Sequence, residues 1–217
     1  MIKILKGQEY VFNGLVVCEE LGNASSLPMV LHFLSVASTS NQKVTIITSK
    51  YTETNYKLVC SKAGIRWVPS QINFLEILQP FGSFDVDVKQ TMDDLIEKIS
   101  GHGSSVILFD DVSLFEQLGT KPVEVVIFLH KIYSHLKKAK AESSVLFAPF
   151  SICSTASTLL QNRCRVFVQM TPVGHGFGKD ASSKAVFTIR SQSGPTTKKG
   201  ILLSGERTIN GSWVSVE

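Results

Sequence analysis

An α/β fold with a mainly parallel central sheet, closed by a C-terminal antiparallel β-meander, is what the sequence predicts, and three patterns predict it. Short apolar runs recur that end abruptly in polar residues, as in Ser104 to Asp111 (SSVILFDD). Runs this short and this apolar suit strands covered on both faces, the signature of a parallel sheet between helices. Helical periods alternate with them through the first three quarters of the chain, and from Arg165 onward only strand-like runs and turns remain.

The elements follow in order. Gly14 to Glu20 (GLVVCEE) reads as a first buried strand, followed by the turn LGNASS and a helix from Leu27 to Ser38. Ser25 or Ser26 suits its cap, Pro28 sits where a missing N–H costs nothing, and Val30, Leu31 and Leu34 repeat at helical spacing. Lys43 to Ser49 supplies a second strand and Tyr51 to Ala63 a second helix, ended by Gly64. Ile65 to Val68 is the next expected strand. Between Pro69 and Asp87 only FLEIL has strand character, with QPFGSFDVD as loop, and Val88 to Ile99 resumes a helical period. After the strand at 104–111 and the segment VSLFEQLG comes a helix from Val123 to Lys140, whose terminal lysines complement the helix dipole. Ser143 to Phe150 gives another buried strand and Ser154 to Arg163 a short capped helix. RVFVQMTPV, KAVFTIRSQ, KGILLSG and SWVSVE then read as the meander.

A chain of 217 residues, 43% hydrophobic and 18% charged, can bury one full core, so residues 1–217 are expected to form a single domain. The formal charge of +4 and pI near 8.8 are compatible with RNA or an acidic protein as partner and demand neither. Cys18, Cys60, Cys153 and Cys164 form no CxxC pair and no ligand spacing with histidine. They suit reduced thiols in the cytoplasm or the nucleus. Neither a secretion signal nor a run apolar enough to span a membrane is evident.

Parallel sheets place ligands beyond the carboxyl ends of their strands, which makes Asp110 and Asp111 the first site candidates. In nucleoside triphosphatases an acidic residue there helps to hold magnesium, beside a phosphate loop GxxxxGK[ST] between strand and helix. Here that place holds Glu19 to Leu27 (EELGNASSL), with one glycine, no lysine, and two carboxylates that would repel a triphosphate. The phosphate loop is degenerate. An ordinary βα turn is the better reading, and a helix cap or an ion pair with a neighbouring lysine the better reading of the aspartates. A second glycine cluster, Val173 to Asp180 (VGHGFGKD), has Val173 where the first glycine belongs, Asp180 where a hydroxyl belongs, and no helix after it. It reads as a hairpin loop suited to contacts. His32, His130 and His135 form no triad or ligand set, and Ser35, Ser151 and Ser154 lie in no GxSxG elbow. No catalytic, cofactor-binding or metal-binding residue is assigned, and no cofactor is expected. Basic residues gather at Lys137, Lys138 and Lys140, at Arg163 and Arg165, and at Lys198 and Lys199, and these suit phosphate contacts or solvated faces.

The segments LPMVLHFLSVASTSNQKVTIIT (27–48), SSVILFDDVSLFEQLG (104–119), VEVVIFLHKIYSHL (123–136) and GHGFGKDASSKAVFTIR (174–190) together resemble the family of the sixth subunit of the Elongator complex. The resemblance implies a RecA-like fold of the phosphate-loop NTPase type without its catalytic lysine, hence no enzyme. It also implies assembly with the related fourth and fifth Elongator subunits into a hetero-hexameric ring, joined to the catalytic Elongator core. Such a ring binds transfer RNA and supports modification of the wobble uridine; neither membrane nor DNA is an expected partner. Arg163, Arg165, His175 and Lys179 are the candidate RNA contacts. The alternatives are an active ring ATPase that governs transfer RNA release, needing nucleotide at a subunit interface, and a recombinase paralogue, needing a preference for single-stranded DNA.

Overall fold

The computed structural model of the chain describes residues 13–77, 87–138, 144–172, 182–191, 194–204 and 209–214. Its elements run β1 (Gly14–Glu20), α1 (Leu27–Thr39), β2 (Val44–Thr48), α2 (Glu53–Lys62), β3 (Ile72–Glu76), α3 (Val88–His102), β4 (Val106–Phe109), α4 (Ser113–Gln117), α5 (Pro122–Lys138), β5 (Val145–Phe150), α6 (Thr155–Gln161), β6 (Val166–Pro172), β7 (Ser182–Ser191), β8 (Gly194–Ser204) and β9 (Ile209–Val214). Among the described residues the strands form one sheet in the order β3-β2-β4-β5-β1-β6-β7-β8-β9. From β3 to β6 every pairing is parallel, with Gly14 opposite Val145 and Val16 opposite Val166, and from β6 to β9 every pairing is antiparallel.

Because side chains alternate along a strand, each central strand feeds two cores. Val16, Cys18, Ile46, Leu108 and Phe147 pack with Met29, Phe33 and Leu34 of α1 and with Tyr56 and Cys60 of α2. Leu15, Val17, Ile107, Phe109 and Leu146 pack on the opposite face with α3, α4, α5 and α6. β1, β2, β4 and β5 are buried throughout, which is why their sequences are apolar apart from Glu19 and Glu20 at the end of β1 and Thr45 and Thr48 in β2.

Several expectations are corrected. Ile65 to Val68 is not a strand. Ile65 donates its N–H to Cys60 O at 2.8 Å and Gly64, at φ +68°, donates to Ser61 O at 3.1 Å, so Ile65 is the buried residue that closes the C-cap of α2. The strand comes later, as β3, starting two residues before FLEIL. VSLFEQLG contains α4, too short to show a period. α6 stops at Gln161 rather than Arg163, and Ser154 is its cap, accepting from Ser157 N at 3.1 Å. The first strand of the expected meander, β6, is antiparallel to β7 but parallel to β1, so it belongs to both halves of the sheet. β8 and β9 begin earlier than KGILLSG and SWVSVE.

Candidate functional site

The carboxyl ends of β1, β4 and β5 lie side by side, since β5 is hydrogen-bonded to both β1 and β4. That edge carries four buried carboxylates, Glu19, Glu20, Asp110 and Asp111, none more than 8% exposed. Buried charge at this density requires compensation from nearby donors and cations. Glu20 accepts from Ser26 N at 2.5 Å, at the start of α1, and its other oxygen lies 3.5 Å from Lys50 Nζ. Lys50, just past the end of β2, also reaches Asp111 Oδ2 at 3.2 Å and so joins β1 to β4. Burial lowers the affinity of Lys50 for its proton, but Glu20 and Asp111 outweigh it, and its pKa stands above the usual lysine value.

Asp111 also accepts from Ser113 N at 2.9 Å, from Ser113 Oγ, and from Ser151 Oγ at 2.5 Å, tying the ends of β4 and β5 together. Asp110 accepts from Ser49 N at 2.8 Å and Ser49 Oγ at 3.1 Å on one oxygen, and from Lys50 N at 3.0 Å and Thr48 Oγ1 on the other. Glu19 accepts from Ser157 Oγ at 2.9 Å and Gln169 Nε2 at 3.1 Å. Asp111 therefore plays both roles expected of it, a cap for the next turn and a partner for a lysine. The sequence did not indicate which lysine, because the pairing depends on β2 lying beside β4.

This edge does not fit a nucleotide triphosphate and its magnesium ion. A helix amino terminus attracts anions through free N–H groups and its dipole. At α1 the Glu20 carboxylate already stands there, on Ser26 N. The lysine of the edge is held between two carboxylates, and both aspartates are engaged by donors of the chain itself. Among the described residues no group of three His, Cys, Asp or Glu side chains is placed to hold a metal ion.

The basic candidates lie elsewhere. Arg165, one residue before β6, donates its N–H to Leu15 O at 2.9 Å near the start of β1, so Arg163 and Arg165 sit at the amino-terminal edge, across the sheet from the carboxylates. His175 and Lys179 lie outside the described residues. At the amino-terminal edge opens a cleft of about 590 Å³, lined by His130, Tyr133 and Lys137 of α5, by Arg163 and Arg165, and by Arg190 of β7. Sequence reasoning missed Arg190 and the convergence with Lys137. Only the β6–β7 pairing, which sets Ile189 opposite Val166, brings Arg190 to this edge.

No protein-family model matches the sequence, and no curated protein matches it. Among solved structures, a KaiC-like protein of the hyperthermophilic archaeon Pyrococcus horikoshii superposes with a TM-score of 0.63, covering 92% of this chain and 89% of that chain, at 10% sequence identity. The fold is RecA-like. At that identity the likeness shows the fold alone, and chemistry must be read from this chain's own residues. In this RecA-like fold the edge where an α/β sheet receives its ligands is the carboxylate edge, already satisfied from within. No helix among the described residues is long and apolar enough to cross a membrane.

Proposed function

We propose that the chain is a non-catalytic, RecA-like subunit of the Elongator type. In this reading it assembles with the related fourth and fifth subunits into a hetero-hexameric ring that binds transfer RNA and supports wobble-uridine modification by the catalytic core. Three things support it: the RecA-like fold, the spread of segments that resemble the sixth-subunit family, and above all the closure of the phosphate-loop place by Glu20, Ser26 and Lys50. A carboxylate at the amino end of α1 substitutes for the anion that an ATPase would bind there. The subunit then contributes a rigid frame and a surface, not a reaction, and the cytoplasm and nucleus are where it would work.

Two measurements test the reading together. Purification of the tagged chain from cells, with mass spectrometry of its companions, is expected to recover two RecA-like partners and the Elongator core. Calorimetry with magnesium and ATP on the purified chain is expected to show no binding. Micromolar affinity that needs magnesium and is lost in Asp111→Ala would favour the active-ATPase alternative. Recovery with recombination proteins and a preference for single-stranded DNA would favour the recombinase paralogue.

A further inference from the structure

We infer that the cleft at the amino-terminal edge, between α5, the α6–β6 turn and β7, is where this chain holds the phosphodiester backbone of RNA, through Lys137, Arg163, Arg165 and Arg190. The inference deepens the RNA-binding part of the proposed function and is independent of ring assembly.

The charge of the cleft is one-sided. Four permanent cations and His130 line it, no carboxylate does, and among the described residues no Asp or Glu lies within ion-pair distance of any of the four. This contrasts with the opposite edge, where every carboxylate has its donor or cation. The pKa of His130 is lowered first by desolvation and then by the charge of Arg163, which therefore lies close enough to act on the ring. An external polyanion is the partner that balances such one-sided charge.

The cations are also placed. Arg190 donates from Nε and Nη2 to Gln161 O, at 3.3 and 2.9 Å, and from Nη2 to Asn162 Oδ1 at 3.0 Å, which fixes its guanidinium against the end of α6 and leaves other N–H groups of the fork available. Lys137 Nζ lies 4.8 Å from the centroid of the Tyr133 ring. Where Tyr133 and Arg165 approach β1 the wall of the cleft requires glycine. Gly14 has φ +91°, and a Cβ there would meet Tyr133 Oη at 3.1 Å and Arg165 Cβ at 3.2 Å. Cations on three separate elements around an open cleft of about 590 Å³ suit a run of successive phosphates better than one carboxylate side chain, and arginine forks match phosphate oxygens in pairs. Contacts to the backbone need no particular base, so binding should be tight at low salt and tolerant of sequence.

The test is binding of an unmodified transfer RNA transcript to the full chain, measured by filter retention from about 50 to 200 mM salt. Lys137→Glu, Arg163→Glu and Arg165→Glu combined are expected to weaken binding at least tenfold. The slope of log affinity against log salt should become shallower by about 2 to 3, since each phosphate contact contributes roughly 0.7 to 0.9. Replacing the same arginines with lysine should preserve most of the affinity. A control with the same change in net charge, Lys62→Glu, Lys89→Glu and Lys98→Glu combined, should lose far less. Equal losses in the two triple variants, or an unchanged slope in the first, would overturn the cleft and leave the proposed function standing. Displacement of the transcript by inorganic pyrophosphate at equal phosphate concentration would overturn it too, by showing a small-anion site. A wild-type chain that does not retain the transcript would remove both the cleft and the RNA-binding part of the proposed function.

Discussion

Asp110 grips the chain after β2 with both oxygens, and each oxygen receives one backbone N–H and one hydroxyl. An asparagine there would have to point its NH₂ group at one of the two backbone donors, Ser49 N or Lys50 N. Since hydrogen bonds to charged groups contribute about 1.5 to 3 kcal/mol, and a buried donor left unpaired costs a similar amount, Asp110→Asn is expected to destabilise the fold by roughly 3 kcal/mol. Urea unfolding would measure it as a lower midpoint with an unchanged slope. An unaffected midpoint would mean that the contacts at 49 and 50 exchange freely with water. The chemistry of this residue was legible only in part. Two aspartates after an apolar run marked a strand end, but their partners Ser49, Lys50 and Ser151 stand just past the ends of the neighbouring strands β2 and β5, and strand order is not written in local sequence.

Helix α1 carries His32 among its buried side chains, 9% exposed and 5.7 Å from the ring of Phe33. Burial lowers its pKa from 6.5 to about 4. The sign follows from linkage. Between those values the unfolded chain binds a proton that the folded chain refuses, so this histidine's contribution to stability is complete above pH 6.5 and is lost as pH falls toward 4, by about 3 kcal/mol in all. Comparing the pH dependence of unfolding in wild type and His32→Leu isolates this contribution from that of the carboxylates. The two curves should converge above pH 7 in slope and diverge below 6, with the variant flatter. Elements with strong local marks were readable: α1 from Pro28 and its period, α3 from its period, with Asp87 capping Lys89 N and Gln90 N and Gly103 closing at φ +64°. Those set by partners were not. Ile65 looked like the start of a strand because a buried residue after a glycine is common to a strand and to a helix C-cap, and only the hydrogen bond to Cys60 O separates them.

For the molecule as a whole, Leu118 beside α4 and Val123 and Ile127 on α5 are 39%, 57% and 50% exposed. Residues 123 and 127 are one helical turn apart and so share a face. If the ring reading holds, the two partner subunits bind only the folded chain and raise its stability by mass action, about 2.7 kcal/mol when partner stands at a hundred times its Kd. For a domain of this size that is a rise in Tm of roughly 5 to 10 °C. Thermal melts with and without the co-expressed partners would show it, and an unchanged Tm at saturating partner would count against assembly.

The place of β1 in the sheet sets a schedule for synthesis. Among the described residues its hydrogen-bonded neighbours in the sheet are β5 and β6, and both follow β2, β3 and β4 in the chain. While ribosomes elongate the polypeptide, the apolar run Leu15 to Cys18 has emerged with neither edge paired, and the strands that will enclose it have not been made. Pairings between segments so distant in sequence form slowly, and an unpaired apolar strand invites aggregation in the meantime. The nascent chain is thus expected to stay prone to aggregation until Met170, the last residue of β6 to pair with β1, has left the ribosome.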